Sequence, residues 1–287
     1  MGSMKELEEL STLQWVDSLN GYLKPYWNEL LQGEWCEGVA NTRLSVEEMR
    51  GWILQTYPFI HAFPKFLAEG LIKVEDDFSR SFLIDNIRVE KAHAEHWIWM
   101  GLGFGLTRQE MLDAADGTKP VLRDVQSLTD WLWYINTKGS MAEAVAATSF
   151  AIEGIAGDIA RKVVNGFEAY RDHPGVQMGP KTYKWFREHA HYDDEHPKIA
   201  MEIVKRYATT ERMQTKVMLA AKRSVQLLHN ALTTGYKAYS VSEQTVVPTN
   251  ELRAQDKRAD RRRDQAPLSF PERRFADRRG RQNRAVA

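Results

Sequence analysis

From about residue 6 to residue 240, apolar residues recur at three- and four-residue spacing, while strand-like alternation is nearly absent. Gly and Pro gather mostly between these stretches, where chain reversals are expected. Ser45-Val46-Glu47-Glu48 has the form of a capping box that opens a helix through Trp52, Ile53 and Tyr57, interrupted near Pro58 and Pro64. Further helices are predicted over 76–103, 122–137, 141–170, 180–207 and 211–239. Six or more long helices joined by short connections imply one all-α domain over residues 6–246.

Beyond Val247 the periodicity ends, and residues 247–287 are rich in Arg, Asp and Gln, with Pro267 and Pro271. Such a segment is expected to be disordered. The first five residues are expected to be a disordered start, and Gly2-Ser3-Met4 reads as a cloning remnant before a second initiator.

Composition divides the chain further. The 287 residues carry 39 Lys+Arg and 39 Asp+Glu, a formal net charge of zero. Twelve basic and six acidic residues lie between Glu251 and Ala287, so the tail carries +6 and the body −6. The tail's arginines suit an anionic partner such as nucleic acid or a membrane surface, but the interleaved Asp and Glu weaken that field and favour a solvated extension. The single Cys36 excludes a disulfide framework or a Cys-rich metal site and points to a reducing, cytoplasmic setting. No apolar stretch reaches the roughly 20 residues of a membrane span.

Three helices carry acidic and imidazole side chains inside their apolar stripes, where burial is costly unless each group is paired or ligates a metal. The first stripe is Leu83, Ile87, Glu90, His93, Trp97, Met100 and Phe104. Its Glu-x-x-His pair has the spacing of carboxylate-bridged di-iron bundles. Alternatively Glu90 hydrogen-bonds His93, and Glu95 and His96 face solvent. On the second stripe, Ala146, Phe150, Glu153, Gly157 and Ala160, the only charge is Glu153. Gly154 and Gly157 beside it leave room for a ligand, or allow a close helix crossing.

On the third helix His189, Asp193 and His196 stand at i, i+4 and i+7, within roughly 60° of one another around the axis. Two imidazoles and a carboxylate on one face suit Fe(II), Mn(II) or Zn(II). A polar helix end with a satisfied core histidine is the alternative. Pro197 disfavours helical geometry at His196, so the helix is expected to kink or restart there. Together the stripes supply three carboxylates and three imidazoles, an inventory that matches a dinuclear centre better than a single zinc.

At these residues the chain resembles the heme-oxygenase-like di-iron oxidases, and most closely the branch of the Chlamydia protein associating with death domains (CADD), in the superfamily that includes TenA and PqqC. The resembling segments are Ala62-Phe63-Pro64-Lys65-Phe66-Leu67, Leu83-Ile84-Asp85-Asn86-Ile87, Glu90 with His93, Glu153 with Ile159-Ala160-Arg161, and His189-x3-Asp193-x2-His196. They extend over about residues 44–203. The resemblance implies a heme-oxygenase-like helical bundle in which Glu90, His93, Glu153, His189, Asp193 and His196 bind two Fe(II)/Fe(III) ions. O2 is the implied co-substrate, the oxidised substrate is a small amino-acid-like or fatty-acid-like molecule in a biosynthetic pathway, and a homodimer is implied as well.

Reactions in the family include oxidative C–C cleavage, N-oxygenation and formation of p-aminobenzoate from an internal tyrosine. For the last, the consumed tyrosine falls near Gln32 and a helper lysine falls on Val163, beside Lys162. Both departures argue against that chemistry. A metal-independent enzyme of TenA or PqqC type is a second reading; TenA-like catalysis needs a pocket cysteine, and Cys36 lies near a helix boundary. A non-enzymatic module acting through the basic tail is a third. Tyr57, Phe59, His61, Phe63, Lys65, Trp97 and Phe104 are candidates to line the pocket, with His61 and Lys65 as polar handles for a substrate carboxylate.

Overall fold

The computed structural model describes residues 4–191 and 195–240 and contains helices but no strand among them. In order, these are α1 (Met4–Leu31), α2 (Glu34–Ala40), α3 (Val46–Leu71), α4 (Asp77–Gly103), α5 (Arg108–Ala115), α6 (Arg123–Lys138), α7 (Met141–Val145), a π-helical segment (Ala146–Glu153), α8 (Gly154–Ala169), a 3-10 turn (Tyr170–Asp172), α9 (Lys184–His191), α10 (His196–Tyr207) and α11 (Glu211–Lys237). Asp193 and the basic segment 247–287 lie outside the described residues. No described helix is long and apolar enough to cross a membrane.

Local signals in the sequence set the helix starts. Ser45 Oγ accepts from the Glu48 amide at 3.1 Å while the Glu48 carboxylate accepts from the Ser45 amide at 2.6 Å, a reciprocal cap. Thr107 with Glu110 and Ser140 with Glu143 repeat the arrangement.

Of the two interruptions expected at prolines, the one in α3 is absent and the restart at His196 is present. Helix α3 runs unbroken through Pro58 and Pro64. Its flanking residues are almost all buried, from Trp52 to Phe66, and this packing outweighs the roughly 3 kcal/mol a mid-helix proline costs. The helix expected over 180–207 is two helices, α9 and α10, and the second restarts at His196 with Pro197 in its first turn, where a missing amide donor is harmless.

Helix α3 packs against α4 and α6, and α11 crosses the π-helical segment, α6 and α3. Helix α8 lies against α9 and α2, and α10 against the π-helical segment. These contacts draw α4, the π-helical segment, α9 and the start of α10 around one interior region.

Candidate metal centre

Helix α4 brings Asn86, Glu90 and His93 inward one turn apart, and all three are buried. Glu90 Oε1 lies 3.0 Å from His93 Nδ1. Opposite them stands Glu153, 8% exposed, at the last position of the π-helical segment. A π-helical turn widens the backbone ring, shifts the side-chain register and occurs often at functional sites. Asn86 Nδ2 donates to both Glu153 oxygens, at 3.0 and 3.3 Å, and His196 Nδ1 lies 3.4 Å from Glu153 Oε2. His196 thus reaches Glu153 from the start of α10 rather than from a continuation of α9.

His189 enters from α9. Its Nδ1 is 2.8 Å from the Trp185 carbonyl oxygen, which only accepts, so Nδ1 carries the proton and the neutral ring keeps its lone pair on Nε2. The indole of Trp185 stacks on the same ring, centroids 4.0 Å apart. The His189 and His93 rings stand 4.7 Å apart. Of the six residues singled out in the sequence, the structure therefore gathers Glu90, His93, Glu153, His189 and His196.

The charges in this cluster are poorly balanced. Burial pushes the Glu90 carboxyl up, but the imidazoles of His93, His189 and His196 outweigh it and hold it below its ordinary value. Burial likewise raises Glu153, the nearby Glu90 charge adds to the rise, and the bonds from His196 and Asn86 only partly offset it. His93 is raised: burial favours its neutral form, and Glu90 overcomes that. Among the described residues no lysine or arginine forms an ion pair with either glutamate. Among the described residues, the partners of these two buried carboxylates are imidazoles and an amide, the donor set a divalent cation would complete, so these residues fit iron.

Two spaces meet at the cluster. An inner cavity of about 70 Å³ touches Glu90, His93, Glu153 and His189 and, Thr56 apart, is otherwise walled by apolar side chains, among them Trp35, Trp52, Phe63, Trp185 and Leu228. An outer cleft of about 680 Å³ reaches Glu90, His93, His189 and His196 past Phe82, Asp85, His96, Lys184, Glu188 and Glu195.

The inner lining differs from the expected one. Phe59, Phe63 and Trp97 line the cavity, whereas Tyr57, His61, Lys65 and Phe104 do not. On α3 the lining face is Trp52, Thr56, Phe59, Ile60 and Phe63. Tyr57 and His61 each follow a lining residue and so point about 100° away; their side chains meet each other at 3.4 Å. Lys65 is exposed, and Phe104 packs on Phe167 and Tyr170. Gly157 serves a close crossing: a Cβ there would lie 3.3 Å from the His189 carbonyl oxygen.

Sequence reasoning missed His96 and Glu188. His96 is 5% exposed rather than solvated, and its Nδ1 lies 3.2 Å from Glu188 Oε2. Donor atoms of His93, His96 and Glu188 all lie within 4.8 Å of one another. The i, i+3 spacing of His93 and His96 was the available signal. Cys36 is buried outside the cavity lining, and burial pushes its thiol up to about 12, the state of an inert core cysteine.

The chain is similar to known proteins both in sequence and in fold. The chain is 25% identical over 203 residues to 4-aminobenzoate synthase of Chlamydia trachomatis serovar D, spanning 69% of this chain and 81% of that protein. It is 24% identical over 243 residues to 4-aminobenzoate synthase of Chlamydia muridarum, spanning 81% and 94%. A TenA homologue from Pseudomonas syringae pv. tomato superposes with a TM-score of 0.68 at 26% identity, over 78% of this chain and 93% of that one. A domain of unknown function with a heme oxygenase-like fold from Shewanella denitrificans gives 0.66 at 18% identity, over 80% and 98%, a likeness of fold. Residues 50–229, which include the elements bearing Glu90, His93, Glu153, His189 and His196, match the family model described as iron-containing redox enzyme. The chain belongs to that family of iron-containing redox enzymes.

Proposed function

We propose that this chain is an O2-dependent di-iron oxidase that acts on a small organic molecule, with Glu90, His93, Glu153, His189, Asp193 and His196 holding the two irons. The observation that carries this reading is the meeting of buried Glu90 and Glu153 with three imidazoles and no ion-paired lysine or arginine among the described residues. Bound iron would supply electron transfer and O2 activation, chemistry that no side chain provides. The chain's own residues supply position and environment. Asn86 fixes the Glu153 carboxylate, the Trp185 carbonyl fixes the His189 tautomer, and the aromatic wall of Trp35, Trp52, Trp97 and Trp185 keeps water from the inner side. The inner cavity, at about 70 Å³, has room for a molecule of the size of O2, so an organic substrate approaches through the outer cleft.

The two chlamydial relatives favour a second reading, formation of 4-aminobenzoate. No tyrosine lines the inner cavity or the outer cleft among the described residues. Val163, at the helper-lysine position, is buried, and the adjacent Lys162 is engaged by Glu37. A substrate supplied from outside is therefore the better-supported reading.

Anaerobic Fe(II) titration tests the centre. Uptake of about two irons per chain is expected, falling sharply in Glu153→Ala. Absence of uptake, or uptake unaffected by that substitution, refutes the assignment. Iron-loaded protein exposed to O2 without added substrate separates the two readings, since 4-aminobenzoate among the products would support the second.

A further inference from the structure

His96 follows His93 by three residues on α4, so both imidazoles leave the same side of the helix. The His96 ring is buried and stacked on Trp99, centroids 5.1 Å apart. Facing it, α9 presents Glu188 one position before His189. Although His96 Nδ1 and Glu188 Oε2 are only 3.2 Å apart, they are not aligned as a hydrogen bond, and the nitrogen has no hydrogen-bond partner. A buried imidazole nitrogen in that state is uncommon and calls for a reason.

Two groups that face one another closely without bonding are the arrangement of ligands that share a third atom. His93 completes the set: one donor atom from each of the three residues lies within 4.8 Å of the others, so an inward shift of the side chains by a fraction of an ångström or more would bring all three to the roughly 2.0–2.2 Å of a shared cation. Lys184 Nζ, 3.4 Å from Glu188 Oε1, engages the other carboxylate oxygen. Glu90 approaches His93 through Nδ1 at 3.0 Å, so Nε2 is the His93 atom left for a metal on this side. All three residues line the outer cleft.

We propose that His93, His96 and Glu188 form a separate divalent-cation site on the cleft side of the buried cluster, suited to borderline first-row metals such as Fe(II), Co(II) and Zn(II). His93 is common to this site and to the inner group, so a cation held here stands one imidazole from Glu90 and Glu153. The site receives the metal from solvent and passes it inward. It goes beyond the proposed iron pair, because it requires binding at residues outside that pair.

Co(II) binding followed by its visible absorption tests the site in a chain carrying both Glu90→Gln and Glu153→Gln, near-isosteric changes that neutralise the inner carboxylates; circular dichroism checks that the helices persist. This chain is expected to retain one Co(II) site that weakens by about tenfold or more on adding His96→Ala or Glu188→Gln. Absence of binding, or the same affinity with and without those additions, overturns the proposal. In the otherwise native chain, His96→Gln and Glu188→Gln are expected to slow Fe(II) uptake and leave the final iron content unchanged. An unchanged rate overturns the inward transfer. Failure of the iron-pair reading looks different, because Glu153→Gln alone would then leave Fe(II) uptake as it was.

Discussion

Asn86 on α4 holds both oxygens of Glu153 on the π-helical segment, with its amide nitrogen 3.0 and 3.3 Å from them. The amide is a neutral donor to a carboxylate that burial pushes toward its neutral form, and it offsets part of that rise. Asn86→Ala removes it and leaves Glu153 less solvated in a closed space. The metal-free protein is expected to lose about 1–3 kcal/mol, the cost of stranding a buried polar group, read as a lower urea midpoint at unchanged slope. A midpoint equal to wild type would show that the bond does not hold Glu153.

The order of helices and the inward stripes were legible because apolar spacing and caps are local properties. Glu90, His93 and Glu153 stood out as charged members of apolar stripes, and all three are buried. The π-helical turn was not legible, since Ala146–Glu153 carries ordinary helical residues and only tertiary packing widens the turn. His96 was missed for a related reason. It is 240° around the axis from Glu90 and falls off the stripe, yet α9 covers that flank and buries it against Glu188. On α3, Tyr57 and His61 each missed the lining face by one residue, a rotation that spacing alone does not fix.

Glu153→Gln is expected to change stability in opposite directions with and without iron. In the metal-free chain it replaces a carboxyl that burial and Glu90 raise by a neutral group of the same shape, so the melting temperature rises. With Fe(II) present, wild type gains stability by mass action and the variant gains less. Paired melting curves check both signs. Equal iron-induced shifts would remove Glu153 from the proposed ligand set.

Gly166 marks where α2 lies directly on α8. A Cβ built there would stand 2.2 Å from the Val39 carbonyl oxygen and 2.4 Å from that of Ala40, both rigid backbone atoms. Gly166→Ala is therefore expected to destabilise by about 1–3 kcal/mol through forced separation of the helices. Gly21 on α1 has nothing within 4 Å of its virtual Cβ, and Gly21→Ala is expected to stabilise by about 0.5–1 kcal/mol through backbone entropy. Urea denaturation of the two variants should move in opposite directions from wild type. Matching shifts would mean that helix propensity, not the close approach, governs Gly166.

Asp76 links the start of α4 to the end of α10. Its carboxylate accepts from the Ser79 amide at 2.9 Å, the Ser79 hydroxyl at 2.8 Å and the Tyr207 hydroxyl at 2.8 Å. The bond from the Ser79 amide is the largest cause, followed by those from Tyr207 and the Ser79 hydroxyl, and together they lower the carboxyl from 3.8 to about 2. Because the folded value is the lower one, the unfolded chain binds more protons between these limits, and stability falls as pH falls through that window. The contribution is complete above the unfolded value and is lost on approach to pH 2. Asp76→Asn keeps a side-chain oxygen to cap α4 but cannot carry the charge. It is expected to be less stable than wild type at pH 7, with the gap closing between about pH 4 and pH 2. Urea midpoints of both chains across that range check this, and a gap independent of pH would mean that the three bonds act without regard to the charge.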